Sequence, residues 1–177
     1  MKNSAIKIAV ALVAFGALLA GVSSPASAAS SKTTPSKTTS AKGPSGQTLT
    51  ASISKGTLPL GQSSTVSISG RGYNTKVGIY VTFCVIPPKG QKPELCGPFD
   101  ITGQNNQSVW ISSNPPLYGA ALVKPFGKGG TFKVTMPIDS KIGDLDCTVL
   151  KCAIFTRADH TNSDYRKADV AIPVTFK

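Results

Sequence analysis

From Thr48 onward, apolar and polar residues alternate with period two. Leu49, Ala51 and Ile53 have polar neighbours, as do Val66 and Ile68 within Ser64 to Gly70. Val77, Ile79, Val81, Phe83 and Val85 share one side of the run Val77 to Ile86, and Val109 to Ile111 is a shorter candidate. Phe132, Val134 and Met136 repeat the pattern, Ala153, Phe155 and Arg157 oppose Ile154 and Thr156, and Val170, Ile172, Val174 and Phe176 form the last run. This alternation turns one side of each strand to a core and the other to water. Turn residues separate the runs at Gly70-Arg-Gly72, Pro87-Pro88-Lys-Gly90, Asn105-Asn106, Asn114-Pro-Pro116 and Gly127-Lys-Gly-Gly130. No stretch after Thr48 has helical periodicity. The pattern predicts an all-β fold, a seven-stranded immunoglobulin-like β-sandwich over 48–177.

The preceding residues read differently. Lys2 and Lys7, an apolar run from Ile6 to Val22 and the small-residue site Ala26-Ser-Ala28 predict a secretory signal peptide over 1–28. The run is about long enough to span a bilayer, so a membrane anchor is the rival reading; Pro25 and the cleavage site favour removal. No second long apolar stretch follows, so the cleaved chain has no expected membrane span. Ala29 to Gln47 holds almost only Ser, Thr, Lys, Pro, Gly and Ala, and predicts a disordered tether. Its basic residues would suit contact with an anionic cell surface, but composition favours a plain solubilising spacer.

The net charge of +11 is unevenly placed. Five lysines precede Thr48, leaving 14 Lys/Arg against 8 Asp/Glu in the folded part, a balance of +6. These cations are scattered rather than interleaved with aromatics, so there is no strong nucleic-acid signal.

Behind a secretion signal, four cysteines read as a disulfide framework. Cys84 and Cys96 bracket eleven residues, and Cys147 and Cys152 bracket four. Four cysteines allow three connectivities. The two intervals suit a stapled ribbon and a tight turn, which favours local pairing; zinc is the rival, disfavoured by spacing and by export.

Several of these residues resemble the neocarzinostatin-type apoproteins of actinobacteria. Ser67-Ile-Ser-Gly-Arg-Gly-Tyr73 looks like that family's second strand and glycine turn, and Cys84 and Cys96 match its disulfide ribbon. Asp146-Cys-Thr-Val-Leu-Lys-Cys152 resembles its Asp-Cys-Thr-x-x-x-Cys turn, and Val170 to Phe176 its last strand. The resemblance covers roughly Ala51 to Phe176. It implies a sandwich with a cleft between one sheet and the stapled ribbon, where such apoproteins hold an enediyne chromophore that attacks DNA; contact with DNA would then run through the chromophore. This chain departs from the pattern at particular places. Ile86 stands where the family has a ligand-contacting aromatic, Phe99 follows the second cysteine at a shorter spacing than its second aromatic, and Ala153 replaces a polar amide. The segment Asn105 to Lys128 is also longer. Separately, Thr156-Arg-Ala-Asp-His160 is similar to the end of Ig-like modules in actinobacterial surface proteins, some of which accompany haem-uptake domains.

Catalytic and metal constellations are thin. His160 is the single histidine; it reads as a loop residue bonded to Asp159 or backbone, or else as a metal or haem ligand near Tyr165. There is no nucleophile-elbow motif and no phosphate loop. Asp144 and Asp146 lack calcium-loop spacing, and Asp146 is expected to bond amides in the disulfide turn. The expectation is a secreted, non-enzymatic binding protein with no cofactor beyond a non-covalent apolar small molecule. Ile86, Phe99, Trp110 and Tyr118 would line its cleft. The alternative is a cell-surface-associated interaction module with a cell-wall or protein partner.

Overall fold

The computed structural model describes residues 38–99 and 107–177. The signal-peptide reading and the first part of the tether fall outside them. The described residues form two packed layers, antiparallel except for one edge strand, plus one short hairpin, with four single-turn 3-10 segments between strands.

One sheet has the order β1 (Thr39–Lys42), β2 (Thr48–Ala51), β4 (Ser64–Arg71), β7 (Phe132–Ile138). The other has the order β3 (Thr57–Leu58), β11 (Val170–Phe176), β10 (Cys152–Ala158), β5 (Ile79–Val85), β6 (Ser108–Ile111). β8 (Lys141–Ile142) and β9 (Leu145–Asp146) make a separate hairpin. All seven strands read from the sequence are present. The two that complete the sandwich, β1 and β3, are short edge additions, and β3 runs parallel to β11.

The period-two pattern has the expected result. Leu49, Val66, Ile68, Val134, Met136, Ile79, Val81, Phe83, Ile154, Ile172 and Val174 are buried between the layers in one cluster. At about 25 cal/mol per Å² of apolar surface removed from water, such side chains contribute about 1.5–3 kcal/mol each. One polar thread crosses this core: the Tyr73 hydroxyl meets Thr156 Oγ1 at 3.0 Å, and Thr156 Oγ1 donates to the Ala168 carbonyl at 2.9 Å. Tyr73 is fixed from behind by the turn after Phe126. Its N–H donates to the Gly130 carbonyl, and a Cβ on Gly130, whose φ is +65°, would run into the Tyr73 backbone.

The tether expectation is corrected at its C-terminal end. Thr39–Lys42 is a strand paired with β2 in the register Thr39↔Ala51 to Lys42↔Thr48. Ala41 leans on the core, and the Thr39 hydroxyl donates to the Ile53 carbonyl at 2.7 Å. Gln47, placed at the tether's end, is buried and donates from Nε2 to the Lys167 carbonyl at 2.6 Å. Four backbone-paired residues with one apolar contact suffice for an edge strand, although their composition reads as linker.

Candidate functional site

The five-stranded sheet also carries apolar residues on its outer face. Along β5, Tyr80, Thr82 and Cys84 alternate with the core-facing Ile79, Val81 and Phe83, and Ile86 follows in phase. The register sets Tyr80 between Trp110 and Arg157, Thr82 between Ser108 and Phe155, and Cys84 beside Ala153. Trp110, Phe155, Cys84 and Ala153 are all buried, so over β5, β6 and β10 this face is covered rather than open to water.

The covering differs at the two ends. At the β6 end the chain folds over itself. The Trp110 indole has Phe99 edge-on at 6.2 Å, Tyr80 at 5.9 Å and His160 at 5.0 Å between ring centroids. The 3-10 turn Leu117–Gly119 lies directly on it: a Cβ on Gly119 would sit 2.5 Å from the indole ring. His160 links the cover to the sheet. Its Nδ1 meets the Tyr80 hydroxyl and its Nε2 the Tyr118 hydroxyl, each at 2.6 Å. Whenever the imidazole is neutral, one of its two ring nitrogens carries the proton, and one tyrosine then donates to it while the other accepts.

Asp159 is not the partner of His160. Its carboxylate is buried, accepting from Trp110 Nε1 at 2.8 Å through Oδ2, and from Thr161 N at 3.0 Å and Thr161 Oγ1 at 2.6 Å through Oδ1. Three donors satisfy a charge that would otherwise be costly to bury. Gly78 leaves the room, since a Cβ there would collide with Asp159 Oδ2. Burial raises the Tyr80 hydroxyl's pKa above its usual value, and the negative charge of Asp159 adds to this. The Arg157 guanidinium lies over the Tyr80 ring at 5.4 Å and works against the shift.

At the other end stands the ribbon. Cys84 and Cys96 are bonded and directly opposed, with Val85 N donating to the Leu95 carbonyl and Gly97 N to the Phe83 carbonyl on either side. That is the non-hydrogen-bonded pair position, where antiparallel chains come closest. Ser108 Oγ donates to the Gly97 carbonyl at 2.8 Å and fastens the ribbon to the sheet. Cys147 and Cys152 are bonded as well, closing a loop whose entry is shaped by Asp146. The Asp146 carboxylate accepts from the Thr148 hydroxyl at 2.6 Å and the Thr148 amide at 2.8 Å, which hold its pKa below the usual value. An open groove of about 510 Å³ runs between this loop and the end of β11. Ile86, Val149, Leu150, Pro173 and Phe176 contribute apolar surface to it.

The four residues expected to share a cleft are therefore divided. Phe99 and His160 both pack on Trp110, Tyr118 bonds to His160, and Trp110, 2% exposed, has no free face. Ile86 lies in the groove at the ribbon base. Tyr80 and Phe155 were not among the four expected cleft residues, although both lie on the face opposite the core in runs read from the sequence. Nor were Val149 and Leu150, whose positions between two bonded cysteines force them outward. Tyr165, a suggested partner for His160, packs instead against the main core. Among the described residues no three His, Cys, Asp or Glu side chains gather as a metal site would require.

No protein-family model matches the chain, and neither does any curated protein sequence. Among solved structures it is similar to macromomycin, at 16% identity and a TM-score of 0.42, over 69% of this chain and 93% of that one.

Proposed function

We propose that this chain is an exported, non-enzymatic binding protein that holds a small apolar molecule in the groove beside Ile86. The observation that carries the reading is the groove itself: aliphatic and ring carbon from Ile86, Val149, Leu150, Pro173 and Phe176, with the Cys147–Cys152 disulfide in its wall. Its volume of about 510 Å³ lies within the roughly 300–1,000 Å³ of small-molecule pockets. Two bonded cysteine pairs fit an oxidising compartment. The sequence resemblance to neocarzinostatin-type apoproteins supports the same role, with the departure at Ile86 predicting an aliphatic rather than an aromatic contact.

The test is native mass spectrometry of the protein secreted by its own host, beside its denatured mass. The expected result is an added small mass that leaves on denaturation and is absent from Ile86→Asp and Leu150→Asp. A wild-type protein that carries no added mass, and gains none from an extract of that host, overturns the reading.

One observation favours a second reading, a surface module that grips another protein. Val149 is 82% exposed and Leu117 94% exposed, both at loop tips. Pull-down of a defined partner that is lost in Val149→Asp, with no small mass retained, would select it.

A further inference from the structure

The outer face of the four-stranded sheet has a chemistry unlike the rest of the surface. Its cross-strand rows follow from the register. Lys42 stands opposite Thr48, and Thr48 opposite Arg71; Ser40 stands opposite Thr50, Thr50 opposite Ser69, and Ser69 opposite Lys133. Ser67 and Thr135 extend the face along the strands. The side chains presented here are hydroxyls and cations, and the core-facing alternates Leu49, Ile68 and Val134 are buried behind them. Strands lie about 4.8 Å apart, which puts Lys42 and Arg71 about 10 Å from each other across Thr48. The rows enclose an open depression of about 540 Å³ between Lys42, Thr50 and Arg71.

The charge is one-sided. None of the eight Asp and Glu residues of the folded part lies in β1, β2, β4 or β7. Among the described residues, the ion pairs are Lys92–Glu94 and Arg166–Asp169, and neither involves a residue of this sheet. An ordinary soluble surface intersperses the two signs. Three cations with no acid on the face create a positive field that favours an anionic partner.

We infer that this face binds an anionic, hydroxyl-bearing carbohydrate polymer. The cations meet its sulfate, phosphate or carboxylate groups, and the Ser and Thr hydroxyls exchange hydrogen bonds with its hydroxyls. Ser40 and Thr50 already pair at 2.8 Å, which leaves each with further lone pairs to offer. Nucleic acid fits less well, because none of the outward positions is aromatic and bases would have no stacking platform. A neutral glycan would leave the three cations without counter-charge. The inference is independent of the groove at Ile86, which lies on the other sheet.

The test is fluorescence anisotropy with labelled dextran sulfate, polygalacturonate, neutral dextran and a single-stranded DNA oligonucleotide. It uses the secreted chain with its N-terminal segment, so that those lysines are constant throughout. Both anionic polysaccharides should bind, more weakly as salt rises, and neutral dextran should not. Lys42→Thr/Arg71→Thr/Lys133→Thr should weaken binding at least about tenfold, while Lys76→Thr/Lys89→Thr/Lys128→Thr, with the same change in net charge, should cost less than about twofold. Lys42→Thr alone, at the sheet edge where folding is least at stake, should cost about twofold to threefold. Sulfate and carboxylate polymers that bind equally make charge the determinant; one that binds and one that does not identifies the anion. Equal loss in the two triple variants, or DNA bound more tightly than either polysaccharide, overturns the inference.

Discussion

The Trp110 indole donates its N–H to Oδ2 of Asp159 at 2.8 Å, across two elements 49 residues apart. Both groups are buried, and the same carboxylate caps the 3-10 turn His160–Asn162 through Thr161 N. One side chain thus fixes the tryptophan and the loop that carries His160. Asp159→Ala leaves the indole N–H unpartnered and removes the cap, for a loss of about 2–3 kcal/mol. Asp159→Asn, which retains an acceptor, should lose about half as much. Urea unfolding followed by the emission of Trp110, the single tryptophan, measures both; a loss for Ala below about 0.5 kcal/mol would falsify the role.

The turn over the indole makes a second expectation. Gly119→Val places carbon where the ring already lies. Overpacking of this kind costs about 1–3 kcal/mol, and here it is relieved by lifting the cover. The native emission of Trp110 should shift to longer wavelength. An unshifted spectrum with unchanged stability would mean that Leu117–Gly119 does not sit on the ring in solution.

Alkaline pH should destabilise the fold through its tyrosines. Burial raises the pKa of the Tyr73 hydroxyl, with Thr156 partly offsetting the shift, and Tyr80 is raised by burial and by Asp159. In the unfolded chain both ionise near pH 10. Because the folded state holds these protons to higher pH, the stability they confer is intact below about pH 10 and falls as pH rises beyond it. The urea midpoint should drop steeply from about pH 9.5 upward, and less steeply in Tyr73→Phe. Equal alkaline slopes for the two proteins would exclude Tyr73 as a source.

The two bridges should differ in consequence. By loop-closure entropy, removing Cys84–Cys96, with a separation of 12, costs about 3 kcal/mol, and removing Cys147–Cys152, with a separation of 5, about 2 kcal/mol. Cys147→Ser/Cys152→Ser frees the loop that bears Val149 and Leu150, so it should weaken groove binding beyond its effect on stability. Calorimetric melting beside binding of the native small molecule separates the two effects; binding that merely tracks stability would place the ligand elsewhere.

Strands with strict alternation, such as β4, β7 and β11, were legible because one residue in two had to be apolar for the layers to pack. β1 was not, since Thr39-Ser-Ala-Lys42 buries little and is held by backbone pairing that leaves no mark on composition. The cysteine pairing was legible from spacing. The site was half legible: Phe99, Trp110 and Tyr118 do come together, but a ring such as Trp110 on the solvent side of a strand looks available until the turn bearing Gly119 closes over it. Contacts between segments distant in the chain, here Tyr80 with His160 and Ile86 with Val149's loop, carry no periodic signature.

The pairing of β1 with β2 also decides how this edge opens. Thr39, where the paired region begins, is matched to Ala51, the last residue of its partner strand. Opening that starts at Thr39 breaks the cross-strand pairs one at a time, toward the turn at Gly43. Such an edge opens at low cost, as the least protected part of a fold does. The strand can detach while both disulfides and the rest of the sandwich stay in place.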